Sequence, residues 1–509
     1  MSQHDKLTLR LNAEDNVIIT LSDAVPGLDD QKHGLIVRDH IPAGHKIATE
    51  KIAKGDLIRK YGQIIGIASR DIEAGAHVHT HNVEMGDFSR KYEIGTEVRP
   101  THYFSDEDKA SFNGIVRDDG RIATRNYIGV LPSVGCSASV CRYIADALNR
   151  EILSAYPNVD GVVGLTQTSG CGMAPDGPGF ENLQLSLAGY ANHPNFWGVL
   201  LVGLGCEVNQ LKLLFDNNQL TANAKLQTLS IQEAGGTKAT INRGVEIIKA
   251  MLPQANQLKR QPVPASHLIL GLECGGSDAY SGITANPALG EAADLVVRNG
   301  GTVILSETTE IYGAEHLLIQ RSSSQEVANK LIDLIHWWEK YTKINGAMIN
   351  NNPTPGNKAG GLTTILEKSL GAVAKAGSTR LMEVYRYAET VRENGLVFMD
   401  TPGYDLASIT GMVAGGAHII CFTTGCGSVL GGKPAPVIKL ASNSEMFQRL
   451  SGDMDIDCGV ILQGKKSIEE MGAAIFQKIL DTASGHQTKS EAFGFGDNEF
   501  VPWHIGATV

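Results

Sequence analysis

Three histidines alternate in the segment His77-Val78-His79-Thr80-His81, and a fourth, His45, stands in the triplet Gly44-His45-Lys46. On a strand, side chains at i, i+2 and i+4 leave the same face, ~7 Å apart along the chain. Neighbouring imidazoles on such a face can bite a divalent cation, and a further donor completes an open site. The pattern predicts a metal site of His79 and His81, with His45 as the extra ligand. The competing reading is a solvated, histidine-rich edge.

A second constellation is built on sulfur. Cys136, Cys171, Cys206, Cys274 and Cys426 each close an apolar, strand-like run: VLPSVGC, VVGLTQTSGC, VLLVGLGCE, LILGLECGG and HIICFTTGCGS. If these runs are parallel strands, their carboxyl ends share one rim of a sheet, where open α/β sheets bind ligands. Three readings stand side by side. The thiolates, Cys136, Cys206 and Cys274 foremost, ligate iron or zinc; they are small fillers beside tight turns; or they hold an iron–sulfur cluster, although no C-x₂-C run is present. Cys141 and Cys458 read as structural.

The polar loops supply acid–base and anion-binding groups. In GLECGGSDAYSGITANP (271–287), Glu273 and Asp278 are candidates for proton transfer, and Ser277 and Asn286 for substrate contact. Loops of this composition expose backbone amides toward anions; the bland alternative is a solvated turn. LSETTEIYGAE adds Glu307 and Glu310 after the next apolar run. NNPTPGNKAGG offers Asn357 and Lys358, a lysine able to pair with a carboxylate or serve as a base. Lys433 follows in the glycine-rich loop after Cys426. Neither a P-loop nor a G-x-G-x-x-G opening a helix is found, so nucleotide binding is unsupported.

The elements that must carry these groups divide the chain. Residues 1–85 repeat the motif I-x-x-G in IPAG, IAKG and IEAG between short alternating segments, which predicts a small all-β module. Residues 86–112 are polar and aperiodic and read as a linker. From 113 to 256 strand-like runs alternate with helical ones, including helices near 181–190 and 235–251. After a second linker at 257–266 the alternation resumes over 267–509. That order implies βαβ units and mainly parallel sheets.

Composition narrows the class. The 509 residues exceed one core, and 42% hydrophobic with 19% charged residues is ordinary for a folded protein. A net charge of −11 argues against a nucleic-acid-binding face. No apolar run reaches the ~18 residues of a membrane span, and the first residues lack a secretory pattern. Eight cysteines without a signal read as reduced thiols. The expectation is a cytoplasmic enzyme that acts on a small molecule.

Taken in order, GHKIA with KYGQIIG, HVHTHN, VLPSVGC, VGLGCE, ECGGSDAYSGITANPALG, NPTPGNKAGGL and FTTGCG resemble the altronate and galactarate dehydratases, a family of sugar-acid hydro-lyases. The resemblance spans nearly the whole chain. It implies an amino-terminal β-clip (SAF-type) domain followed by two α/β regions, and a homodimer as the expected assembly. The implied reaction removes water from an aldonate or aldarate to give a 2-keto-3-deoxy acid, with ferrous iron, or alternatively manganese, as cofactor. HVHTHN resembles the altronate branch. Cys426 stands where the family usually has arginine, which bears on substrate choice. Two other functions compete: expulsion of sulfite from a sulfo-hydroxy acid on the same scaffold, and sugar-acid binding without chemistry.

Overall fold

A computed structural model describes residues 7–86, 92–149 and 153–508. Part of the stretch read for a secretory signal (1–6) and part of the first linker (87–91) lie outside the described residues. The amino-terminal module consists of short antiparallel strands in three small sheets, and every strand in these sheets comes from the module itself. Its repeat has a structural meaning. The isoleucine that opens each I-x-x-G makes an isolated bridge, Ile41 with Ala24 and Ile52 with Ile72, and is buried, while the glycine closes the following turn.

The chain then runs without regular structure over 92–110, along the carboxyl-terminal region. Its amides at Gly95 and Phe104 donate to the carbonyls of Ile319 and Arg298. The second region carries four parallel strands: β1 (Tyr127–Pro132), β2 (Gly161–Gly164), β3 (Phe196–Gly203) and β4 (Leu226–Ser230), in the order β2-β1-β3-β4. All residues of β1, β2 and β3 are buried, as expected of parallel strands covered by helices on both faces. Helices Pro178–Ala191 and Thr237–Ala255 occupy the helical stretches read from the sequence.

The carboxyl-terminal region holds seven parallel strands: β5 (Ile269–Cys274), β6 (Thr302–Leu305), β7 (Leu381–Tyr385), β8 (Gly395–Met399), β9 (Ile419–Thr424), β10 (Val437–Ala441) and β11 (Ile456–Asp457). Their order is β7-β8-β6-β5-β9-β10-β11. From β5 the chain builds outward on one side and then returns to β9 on the other. The crevice at the carboxyl ends of β5 and β9 is therefore the topological switch point, where doubly wound sheets bind ligands.

Two sequence expectations are corrected. The stretch 257–266 is not a plain linker, because Arg260–Pro264 pairs antiparallel with Ser111–Val116, so the second region leaves the body beside the strand by which it enters. The five strand-end cysteines do not share one rim. Cys136, Cys171 and Cys206 follow β1, β2 and β3 of the four-stranded sheet, whereas Cys274 ends β5 and Cys426 follows β9 of the seven-stranded one. Among the described residues no helix is long and apolar enough to cross a membrane.

Candidate active site

The amino-terminal module docks on the switch point through backbone tips and buried charge. The Gly44 carbonyl approaches Gly361 so closely that a Cβ there would lie 2.6 Å from its oxygen, and Gly361 has a positive φ of 100°. Tyr280 donates its hydroxyl to the Thr20 carbonyl at 3.1 Å. Below this contact Glu367 accepts from Lys46 at 2.9 and 3.0 Å and from Lys60 at 2.8 Å, and all three side chains are fully buried. Burial alone would raise the Glu367 carboxyl, but the two ammoniums outweigh it and hold it far below the carboxylate range. Burial also pushes Lys46 down to about 8, against the pull of Glu367. Unpaired, any of these charges would be costly in such a place.

The docked module brings its histidines to the mouth of the crevice. One ring nitrogen each of His45, His77 and His79 lies within 4.8 Å of the others. His45 Nε2 is 3.1 Å from the Ala359 carbonyl, so that nitrogen carries the proton and donates, leaving Nδ1 with the lone pair. Nδ1 faces His77 Nε2 at 3.0 Å. The His77 and His79 rings stack at 5.4 Å, and His79 Nδ1 is buried without a hydrogen-bond partner among the described residues. Burial pushes His77 down to about 4 and His79 to about 3, and lowers His45 and His81 as well. At neutral pH these rings are uncharged, the form that ligates metals. The alternation on one strand is shorter than the sequence suggests. The strand holds only His77 and Val78, and Asn82 closes a turn by accepting from the His79 amide and donating to the His77 carbonyl. His81 packs its ring against His77 at 5.2 Å but stays outside the close trio.

Deeper in the crevice lies a buried acidic pocket. Glu273 and Cys274 end β5, Glu307 follows β6 in a left-handed conformation (φ 66°), Glu310 sits one turn on, and Asp405 opens the helix Asp405–Ala414. Carboxylate oxygens of Glu273, Glu307 and Asp405 lie within 4.8 Å of one another, as do donors of Cys274, Glu307 and Glu310. Lys375 meets Glu307 at 2.7 Å and Lys368 meets Glu310 at 2.7 Å. Four carboxylates thus face two ammoniums, an excess of two negative charges when all are ionised. Ser408 donates to one oxygen of Glu273 at 2.7 Å, while the other oxygen, like Oε1 of Glu307, is buried without a hydrogen-bond partner among the described residues. Burial, reinforced by neighbouring carboxylates, raises Glu273 and Glu307 and pushes Asp405 up to about 7. For Glu310 the burial effect is overcome by Lys368 and Lys375, and its carboxyl is lowered. Burial also raises the Cys274 thiol.

Both clusters fit a divalent cation, by different chemistry. The histidine trio offers neutral nitrogen donors with one tautomer fixed from behind by a carbonyl, the arrangement common around bound metals. The acidic pocket offers hard oxygens with uncompensated charge.

Of the remaining sequence candidates, some sit on the loops beside these clusters and others lie away from them. Asp278 accepts from the Tyr280 amide, the Ser281 amide and hydroxyl, and Ser442 on one oxygen, and from Asn443 on the other. It holds the loop 275–284 in shape. Asn357 caps the short helix Pro355–Ala359 with its neighbour Thr354 and donates to the Ser277 carbonyl at 2.8 Å. Lys358, half-buried on that helix beside Ala359, has no partner for its ammonium among the described residues. Ser277 Oγ and Asn286 Oδ1 are buried and have no hydrogen-bond partner among the described residues. Cys426 lies over the same loop, its amide donating to the Gly276 carbonyl at 3.0 Å. Lys433 pairs with Asp497 at 2.8 Å and ties down the carboxyl-terminal tail. Cys136 and Cys206 belong to neither donor cluster.

Sequence reasoning missed Lys46, Glu367, Lys368, Lys375 and Asp405. Charged residues inside otherwise apolar stretches were the available signal: ILEKSLGAV reads as a buried helix that carries a Glu–Lys pair.

Family models match three consecutive stretches of the chain. They are the altronate/galactarate dehydratase SAF domain over residues 6–86, the second domain of D-galactarate dehydratase/altronate hydrolase over 114–256, and the C-terminal domain of D-galactarate/altronate dehydratase over 265–508. The chain is 34% identical to altronate dehydratase of Bacillus subtilis (strain 168), covering 99% of this chain and 100% of that one. It is 37% identical to galactarate dehydratase (L-threo-forming) of Escherichia coli (strain K12), covering 96% and 94%. With (2R)-sulfolactate sulfo-lyase subunit beta of Chromohalobacter salexigens it shares 30% over 77% of this chain and 96% of the subunit.

Proposed function

Since the chain belongs to the galactarate/altronate dehydratase family, we propose that it is a hydro-lyase that converts an aldonate or aldarate of the altronate or galactarate type into its 2-keto-3-deoxy acid. The observation that carries this reading is the contact of His45 with Ala359 at 3.1 Å. It joins the histidine trio to the helix bearing the unpartnered Lys358, at the mouth of the crevice that ends in Glu273 and Glu307.

His45, His77 and His79 would hold the divalent cation, ferrous iron or alternatively manganese, with His81 beside them. Bound there, the cation would supply Lewis acidity toward carboxylate and hydroxyl oxygens. Lys358 pairs with the substrate carboxylate, and Ser277 and Asn286, each with an unused buried oxygen, orient its hydroxyls. The proton on C2, α to the carboxylate, passes to a carboxylate of the Glu273–Glu307 pair, whose burial makes it a stronger base than a solvated one. The electron pair left on C2 forms the C2–C3 double bond as the C3 hydroxyl departs, taking a proton to leave as water. Asp405, at about 7, is suited to give that proton. The resulting enol then tautomerises to the keto acid. Asp278 and Asn357 position the loop that carries Ser277.

The dehydratases align with the chain as one polypeptide, while the sulfo-lyase of Chromohalobacter salexigens aligns as two subunits, beta over 77% of it and alpha over 9%, and product analysis separates the two readings. Anaerobic protein loaded with ferrous iron, given altronate, galactarate and sulfolactate in turn, is expected to release 2-keto acid from a sugar acid and no sulfite. Sulfite from sulfolactate, or no product from any of the three, overturns the proposal.

A further inference from the structure

Neither cluster at the switch point uses Cys136, Cys171 and Cys206. They follow β1, β2 and β3, three adjacent parallel strands of the second region, and all three are exposed. Free cysteine is among the most buried residue types, and Cys141, Cys274, Cys421 and Cys458 obey that rule. The fifth strand-end thiol, Cys426, belongs to the other sheet.

The loops that carry the three exposed thiols are fastened to one another. The Gly135 amide donates to the Ser169 carbonyl at 2.8 Å, and the Asn209 amide to the Gly170 carbonyl at 3.0 Å. Asn209 Nδ2 donates to the Ser133 carbonyl at 3.0 Å. Glu207 accepts from the Ser133 hydroxyl at 2.8 Å and from the amides of Leu204 at 3.1 Å and Gly205 at 2.6 Å. Glu207 and Asn209 are buried, at 3% and 0% exposure. Gly170 presses on the first loop so tightly that a Cβ would stand 2.5 Å from the Ser133 carbonyl oxygen. Each cysteine is thus the residue after a glycine whose backbone is fixed in this network. A buried frame of this kind, ending in three solvent-facing sulfurs, serves no packing purpose for those sulfurs.

The sulfurs are not all within 4.8 Å of one another, so they do not close on a single ion as the histidine trio can. A polynuclear cluster stands between its thiolates and takes ligands that are more widely spread. Gln232 Nε2 lies 3.3 Å from Cys206 Sγ, the kind of hydrogen bond to a ligand sulfur that tunes such clusters. Beside Cys171 opens a cavity of about 820 Å³, lined also by Arg142, Gln167, Asn498 and His504.

We infer that this rim binds an iron–sulfur cluster of the [4Fe–4S] type through Cys136, Cys171 and Cys206, with one iron lacking a cysteine ligand. The inference stands independently of the proposed reaction. Its test is anaerobic reconstitution of the full chain with ferric iron, dithiothreitol as reductant and sulfide, read by acid-labile sulfide, visible charge-transfer absorbance and the EPR signal of the reduced protein. Expected are iron and sulfide in equal amounts, an EPR signal, and loss of both in Cys136→Ser, Cys171→Ser and Cys206→Ser but not in Cys426→Ser. Circular dichroism and melting temperature are followed in each variant to show that it folds. Uptake of iron without sulfide, or a cluster that survives in all three of the first variants, overturns the inference.

Discussion

Glu367 and Lys368 are consecutive on the helix Ile365–Val373, yet they serve opposite sides of it. Glu367 takes the ammoniums of Lys46 and Lys60 from the amino-terminal module, and Lys368 takes Glu310 in the acidic pocket. One helix therefore carries both the carboxylate that docks the amino-terminal module and an ammonium that lines the acidic pocket.

Replacing Glu367 by alanine leaves two buried ammoniums without a counter-charge. Removing one member of a buried ionic group costs ~3–5 kcal/mol. Urea denaturation of Glu367→Ala is expected to show a loss of that size, and the triple variant with Lys46→Met and Lys60→Met to recover much of it.

The histidine assignment distinguishes residues that lie close together. His77→Ala and His79→Ala are each expected to weaken ferrous-iron binding at least tenfold, whereas His81→Ala, outside the trio, changes it by less than threefold. Isothermal titration under anaerobic conditions measures this directly, and equal effects at all three positions would refute the trio.

Glu273 and Glu307 are buried carboxyls, both raised by burial and by neighbouring carboxylates, and the surrounding fold holds them close. Glu273→Gln removes the repulsion and is expected to raise the melting temperature while lowering kcat at least a hundredfold. A variant that melts earlier and keeps its turnover would contradict the role given to the pair.

The seam between the second and carboxyl-terminal regions should be acid-sensitive. His193 accepts from the Asn195 amide and lies 3.1 Å from the Ala417 carbonyl, while His418 accepts from the Ile269 amide. Burial pushes His193 down to about 3 and His418 to about 4. Unfolded, both would protonate near ~6.5, so between pH 6.5 and pH 4 the unfolded chain binds more protons and stability falls as pH drops. The expected loss is roughly 1 kcal/mol per pH unit for each histidine in that window. Denaturation midpoints between pH 7.5 and pH 4.5 test it, and His418→Gln should flatten the slope.

Docking of the amino-terminal module depends on a glycine. At Gly361 a methyl group would meet the Gly44 carbonyl oxygen at 2.6 Å on a backbone with φ of 100°. Gly361→Ala is expected to release the module to limited proteolysis and to reduce iron binding with it, while the carboxyl-terminal fragment stays folded.

Much of this architecture is written in local patterns. I-x-x-G announces the bridges at Ile41, Ile52 and Ile72, and the apolar runs ending at Cys136, Cys206 and Cys274 announce parallel strands. What escaped was long-range. Nothing local distinguishes the rim of Cys136 from that of Cys274, because strand order is set by how helices pack across each sheet. Residues 257–266 read as a linker, since two prolines mask a strand whose partner lies some 150 residues earlier. Lys375 and Asp405 are invisible alone, because their meaning arises only where the segments after β5, β6 and β8 converge. His81 fell outside the trio for a local reason, the turn closed by Asn82.

Among the described residues, the amino-terminal module contributes no strand to any sheet of the body and receives none in return. Everything that holds it in place is a side chain or the tip of a turn. Such a joint needs no peptide bond across it. Two separately made polypeptides, one carrying the histidines and the other the carboxylates, are expected to reassemble through the pairing of Lys46 and Lys60 with Glu367.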